Sequence, residues 1–250
     1  LTLYIVRPGL PLDSVHLAPG NCGVIDHQFF TFSLDIDKGE TVQYILRAQT
    51  NTQMIIPVSI YSREGTISQM LSFDLRTGVF SCIMLAMLLY NLFLYFSARD
   101  KQYLYYVNYI LWVTIAQLAL LGIFYRFFER DSPILEYIVP FAGAMSGIAS
   151  VIFARSFLNV KKYNTRFGFF LNAIIIGDLI AISLLYFDIS LAYKAVNAVA
   201  VVGSVILLYI AYYLKRRGNK EANLFLLAWG IFLSSVIIFV LKDYGIVAYS

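Results

Sequence analysis

One residue with acid–base chemistry stands inside an otherwise apolar run. It is Asp178, in Asn172-Ala-Ile-Ile-Ile-Gly-Asp178-Leu-Ile-Ala. Burying a carboxyl group in hydrocarbon is costly, so such a residue marks a functional hypothesis. It suits a proton or cation site, or half of an intramembrane aspartyl protease pair. The protease needs a second carboxylate on a facing helix and a Gly-x-Gly-Asp element. Ile175 stands where the first glycine should be, and Asp188 lies at the outer end of the same run. The protease reading is rejected. The favoured reading has Asp178 bonding Asn, Gln or Tyr on a neighbouring helix, or opening to a watery crevice. Asn91, Gln117 and Asn197 are further polar positions suited to bonds between helices. His16 and His27 are the only histidines, with Asp26 beside His27. A metal site needs three or four converging ligands, so solvated histidines are expected, with no metal and no cofactor. No apolar run contains His, and Ser/His arrangements are missing, so no enzyme active site is expected here.

The elements that position these residues are apolar runs of membrane length. Six spans are read at 77–97, 103–125, 134–157, 167–187, 192–214 and 222–242. Each meets the requirement of about 20 residues for crossing a hydrocarbon core of about 30 Å. Hydrophobic residues make up 60% and charged residues 14% of the chain, and its mean hydropathy is +0.72. A soluble domain carries about 25% charged residues, so the composition describes an integral membrane protein in contact with the lipid bilayer. No nucleic-acid partner is expected. Cys22 and Cys82 lie in different solvents and are not expected to pair.

Loop charge gives an orientation. Arg99, Lys101, Arg155, Lys161, Lys162, Arg166, Lys215, Arg216, Arg217 and Lys220 fall on one side of the spans. Arg126, Arg130, Lys194 and Lys242 fall on the other, the first two offset by Glu129 and Asp131. Ten against four places the richer side in the cytoplasm, with the N-terminal segment and Ser250 outside. Tyr103, Tyr105, Tyr106 and Tyr109 are expected in the headgroup region at the start of span two, and Tyr212 and Tyr213 at the end of span five. The third span contains Gly143-Ala-Met-Ser-Gly147, a pattern that lets helix backbones approach closely. It serves an intramolecular contact or the face of a homodimer equally well.

The first 61 residues read as strands. Phe30, Phe32, Leu34 and Ile36 alternate with polar residues. After the turn Asp37-Lys38-Gly39-Glu40, Val42, Tyr44, Leu46 and Ala48 do the same. That is the period of half-buried antiparallel strands around a turn. Further strands are expected at 2–6, 14–18 and 54–61. Five strands fall short of the roughly eight of a double-sheet jelly roll. Tyr4, Tyr44 and Tyr61 are candidates for a ligand face, although strand aromatics more often serve sheet packing. Residues 62–75 carry Ile67, Met70, Leu71 and Leu75 at near-helical spacing, which predicts a short amphipathic connector at the membrane surface. The organisation expected is therefore 1–61 as the C-terminal part of a β-sandwich domain, 62–75 as connector and 76–250 as the membrane domain.

Several segments together carry a resemblance. Arg76-Thr-Gly78-Val-Phe80, Leu89-Tyr90-Asn91-Leu92-Phe93, Ser97-Ala-Arg-Asp-Lys101 and Tyr103-Leu-Tyr-Tyr106 resemble the opening of the bacterial seven-transmembrane receptors with diverse intracellular signalling modules (7TMR-DISM). Phe153-Ala-Arg155-Ser-Phe157-Leu158, Arg217-Gly218-Asn-Lys-Glu-Ala222, Leu227-Ala-Trp229-Gly230 and Gly245 continue it. The resemblance covers 76–250, and residues 1–61 look like the second half of the family's extracellular jelly roll. It implies a membrane all-α helical bundle, six spans of an expected seven, preceded by a partial all-β jelly-roll-like extracellular domain. It further implies a receptor in the bacterial inner membrane with an unknown periplasmic ligand of carbohydrate-like chemistry. Its output domain, such as a diguanylate cyclase or histidine kinase, would be cytoplasmic and in cis. Half of the sensor, the seventh helix and the output are then expected outside this chain, which starts at Leu1 without Met. The family supplies no catalytic residues for this region.

A secondary transporter or channel is the competing class. It predicts internal repeats and broken helices around a midplane site. No repeat relates spans one to three with spans four to six. A light receptor needs a Schiff-base lysine, and none lies in mid-span. Coupling or packing roles fall to Asp178, Asn91, Gln117, Gly143 and Gly147.

Overall fold

The computed structural model describes residues 2–7, 13–17, 25, 27–34, 36, 38–48, 58–128, 132, 134–163 and 166–243. Ala18, Cys22, Asp26, Asp35, Asp37, residues 54–57, Glu129, Arg130, Asp131 and Gly245 lie outside them. Packing divides the chain into two units. One is Leu1–Ile55 with Leu118–Glu136, and the other is Ile56–Gln117 with Tyr137–Ser250.

The first unit holds a three-stranded antiparallel sheet. Its strands are β1 (Thr2–Val6), β2 (Asp13–His16) and β3 (Gln43–Arg47), in the order β2-β1-β3. The alternation read around β3 is realised: Val42, Tyr44, Leu46 and Ala48 are half-buried, and Thr41, Gln43, Ile45 and Arg47 are exposed. Leu3 is buried and lies opposite both Val15 and Leu46, so these three share the inner face. The expected pairing of 30–36 with 41–48 is not what forms. Among the described residues, 30–36 is reduced to an isolated bridge at Thr31, and β3 pairs with β1 instead. Period-two patterning records which face is apolar, not which strand lies alongside. The turn itself is present, with Gly39 at φ +89°, a value open to glycine at little cost. Residues 58–61, the described end of the strand expected at 54–61, are not in a strand.

The second unit is a helical bundle. Its helices are α1 (Arg63–Ala98), α2 (Lys101–Leu120), α3 (Ile134–Phe157), α4 (Val160–Tyr163), α5 (Arg166–Leu184), α6 (Ile189–Arg216) and α7 (Lys220–Asp243). All but α4 are long and apolar enough to cross a membrane. The third span has the limits expected of it. The second ends five residues early, because Gly122 at φ +73° closes α2 and a 3-10 turn, Ile123–Arg126, follows.

The connector differs from expectation. Residues 63–75 are not a separate surface helix but the first turns of α1, opened by Ser62, whose Oγ accepts from the Gly65 amide at 3.1 Å. At 36 residues and about 1.5 Å each, α1 is about 54 Å long against a core of about 30 Å. Its buried and half-buried residues include Met70, Asp74, Thr77, Ser81, Met84, Leu88, Asn91 and Tyr95. Their spacing alternates four and three, the heptad seam of a helix that keeps one face on its neighbours. Met84 and Leu88 pack on the bundle core. Ile67, Leu71 and Leu75 are exposed on another face. The apolar connector residues thus split, Met70 inward and the others outward.

Aromatic rings of α2, α3 and α7 meet in the bundle core. The Trp229 ring of α7 lies 4.7 Å from Tyr109 of α2, 5.3 Å from Phe153 of α3 and 4.9 Å from Phe225, centroid to centroid. Tyr106 joins at 5.0 Å from Phe153. Tyr109 is therefore a core residue rather than a headgroup anchor: its ring is buried against tryptophan. Removing a large buried aromatic side chain costs about 3–5 kcal/mol. We expect that loss for Trp229→Ala, and almost none for Leu227→Ala, whose side chain points outward. Reversible unfolding in mixed micelles compares the two variants.

Candidate functional site

Asp178 stands on α5 at 2% exposure, packed on the backbone of α3. A methyl group placed on Gly147 would lie 2.5 Å from Asp178 Oδ2 and 3.1 Å from its Cγ. The absence of a side chain at 147 is what admits the carboxyl group. Four residues earlier on α3, a methyl group on Gly143 would meet Val196 of α6 at 3.3 Å. The small-residue stripe of the third span is thus used inside the bundle, against α5 and α6. The two latter helices interlock in the same manner and reciprocally. Gly177 of α5 faces Val199 of α6, and Gly203 of α6 faces Ile174 of α5, with methyl positions 3.1 and 3.2 Å from those side chains.

The hydrogen bonds run differently from expectation. Asp178 Oδ2 has no hydrogen-bond partner among the described residues. Asn91 is buried but donates to the Met87 carbonyl of its own helix at 2.7 Å. Gln117 is exposed and Asn197 half-buried, and neither bonds another described residue. Ser146 and Ser150 likewise donate back, to the carbonyls of Gly143 and Gly147 at 2.7 Å. A helix in hydrocarbon satisfies a lone hydroxyl or amide most cheaply on its own previous turn. Asp188 caps α6, accepting from the amides of Ser190 and Leu191.

The bonds that do cross between helices involve residues to which the sequence reading gave no such role. Arg155 of α3 donates to Asn172 Oδ1 of α5 at 3.0 Å. Asn219, at 3% exposure between α6 and α7, does two things. Its Oδ1 accepts from the amides of Glu221 and Ala222 and so caps α7, while its Nδ2 donates to the Leu158 carbonyl just past α3 at 3.0 Å. Gly218-Asn219 before Lys220-Glu221 spells a helix stop followed by a helix start. The cap was therefore readable, although its bond to Leu158, 61 residues away, was not.

In the first unit, His27 is buried rather than solvated. It hydrogen-bonds Arg126 of the turn that follows α2, and its ring lies 4.9 Å from Phe29. Gly122 of the same turn approaches the side chain of Gln28. The loop between the second and third spans therefore packs with the N-terminal segment. His16 is exposed and pairs across the sheet, Nδ1 3.0 Å from Thr2 Oγ1. Tyr4 and Tyr44 do not line one surface. Tyr4 lies opposite Ile45 and Tyr44 opposite Ile5, which puts the two rings on opposite faces. Among the described residues no three His, Cys, Asp or Glu converge on a metal position.

Comparison with known families decides the membership. The model described as 7TM diverse intracellular signalling matches residues 73–250, and that described as 7TMR-DISM extracellular 2 matches residues 2–62. The chain belongs to the 7TM diverse intracellular signalling family. It is a multi-pass membrane protein of receptor type. Neither the curated proteins nor the solved structures contain a significant match. Within this family's domain, two of the segments that carried the resemblance, 153–158 and 217–222, are the two that Asn219 joins.

The fit between Gly147 and Asp178 can be measured. Gly147→Ala should cost about 1–3 kcal/mol, the range for overpacking a filled core. In an Asp178→Ala background the same change should cost much less, because the obstructing carboxyl group is gone. A double-mutant cycle on unfolding free energy reads the coupling. Equal costs in both backgrounds would mean that the two residues do not press on each other.

Proposed function

We propose that this chain is the sensing and membrane-crossing part of a bacterial inner-membrane receptor. The N-terminal sheet lies in the periplasm and binds a small ligand of carbohydrate-like chemistry. Its occupancy biases the bundle between two arrangements, and a cytoplasmic output domain in cis responds. The ligand acts by binding one arrangement more tightly than the other. The observation that carries this reading is the continuity of α1. One capped helix begins right after the N-terminal segment and keeps a single heptad seam from Met70 to Tyr95. Force applied at its start reaches its other end as a rotation or a shift of a rigid rod. A transporter would favour broken helices at the midplane, and each of the six spans is one uninterrupted helix.

The rod is testable in the full-length receptor. Inserting Gly-Ser after Gln69 turns everything upstream by about 200° relative to the seam, at about 100° per residue, and adds a flexible point. Ligand affinity, screened with mono- and oligosaccharides, should persist, and ligand-dependent output should be lost. If output survives the insertion and disappears in Arg126→Ala, coupling runs through the loop after α2 rather than through α1.

Orientation has its own test, in a background lacking Cys22 and Cys82. Single cysteines at Lys162 and Arg216 should react with impermeant maleimide only from the cytoplasmic side, and one at Asp188 only from the periplasm. Periplasmic labelling at Arg216 inverts the topology.

A further inference from the structure

We propose that the end of α6 holds a binding site for the phosphate of an anionic lipid headgroup. Tyr209, Tyr212, Tyr213, Arg216 and Arg217 line an open cleft of about 440 Å³. Each arginine is folded back over the tyrosine one turn earlier. Arg216 Cζ lies 5.2 Å from the Tyr212 ring centre, and its Nε donates to that hydroxyl at 2.9 Å. Arg217 Cζ lies 5.3 Å from the Tyr213 ring centre, and its Nη2 donates to that hydroxyl at 2.9 Å. Phe167 of α5 stands edge-on to Tyr209 and Tyr213 and holds their planes.

A guanidinium has five N–H donors in a fixed fork. Each of these spends one on a tyrosine and keeps the rest. Arg216 and Arg217 form no ion pair with any described residue, and neither do Lys215 or Lys220. Stacking on the rings fixes both forks in advance, so less side-chain entropy is lost on binding. The carbonyls at the end of α6 oppose an anion with about half a negative charge. The two full positive charges of the arginines that line the cleft outweigh it.

The geometry points to a lipid as the source of the phosphate rather than a soluble compound. Val202, Val205, Tyr209, Tyr212 and Arg216 follow one another at spacings of three and four, a single face of α6. The two valines, Tyr209 and Tyr212 are all about half exposed. An acyl chain laid along the valines brings its headgroup to the arginines. Only the choice of leaflet rests on the orientation proposed above, and cysteine labelling tests that separately.

The experiment is native mass spectrometry of the full-length protein, delipidated in non-ionic detergent. It is offered phosphatidylglycerol, phosphatidylcholine or inorganic phosphate. Wild type should retain phosphatidylglycerol in preference to phosphatidylcholine. Arg216→Gln with Arg217→Gln should weaken that retention roughly 30-fold, at about 1 kcal/mol for each basic residue beside an anionic lipid. Arg216→Lys with Arg217→Lys keeps the charge and loses the forks, and should fall between them. Equal retention of phosphatidylcholine overturns the site, as does undiminished phosphatidylglycerol binding by the glutamine variant. Displacement of phosphatidylglycerol by millimolar inorganic phosphate overturns the lipid assignment and reassigns the cleft to a soluble phosphate compound.

Discussion

A helix end inside or near hydrocarbon has orphan amides and carbonyls and little water to satisfy them. At the turn between α6 and α7 this constraint is met by one side chain. Asn219 caps α7 with its oxygen and reaches the Leu158 carbonyl with its nitrogen. Three elements are thereby held in one place: the end of α6, the start of α7 and the chain leaving α3. The aromatic contacts of Trp229 with Tyr109 and Phe153 lie two to three turns further along α7, and they bring in α2. Lipid tails are as apolar as leucine, so packing and such bonds, not exclusion from water, hold membrane helices together. The glycine-to-valine and glycine-to-isoleucine fits between α5 and α6 are the same principle applied without polar groups.

Against that fixed part, α1 is lightly held. Its buried residues are Met70, Thr77 and Asn91, and much of its remaining surface is exposed. A helix with one narrow seam can slide or turn at little cost in packing. One anchored by caps, interlocked glycines and stacked rings cannot. In the proposed receptor this division is useful. There α1, which follows the N-terminal segment in the chain, would be the element that moves, and the more firmly anchored helices would give it something to move against.

The spans were legible because bilayer thickness sets their length, and 134–157 came out with the limits read from sequence. Strand β3 was legible from alternation, and β1 and β2 fall where further strands were expected. The partner of β3 was not legible, since Leu46 opposite Leu3 depends on a segment some forty residues away. Gly39 marked a real turn without determining what the turn joined. At the candidate site, Asp178 and Gly147 were each visible as unusual residues, yet nothing in the sequence said that they meet. Their pairing requires the relative rotation of α3 and α5. Polar residues within spans suggested bonds between helices, and Asn91 turned to its own backbone instead. The continuity of α1 was missed because the apolar residues of 62–75, set among polar ones, read as a separate surface connector, while Ser62 in fact opens one long helix.

Among the described residues the N-terminal segment is tied to the helices along two parts of the chain. One is covalent, through α1. The other is the turn after α2, where Arg126 bonds His27 and Gly122 lies against Gln28. The routes differ in what they can transmit. A rod of about 54 Å carries rotation and displacement to its far end. A turn held by side-chain bonds moves the start of α3, and α3 carries Gly147 against Asp178. Shifting a two-state equilibrium from 1:99 to 99:1 takes about 5.5 kcal/mol of differential affinity, more than most single side-chain contacts supply. A ligand that engaged both routes would draw on both sets of contacts. The seam of α1 and the fit at Gly147 are then the two places where its binding energy would be converted into a change of bundle state.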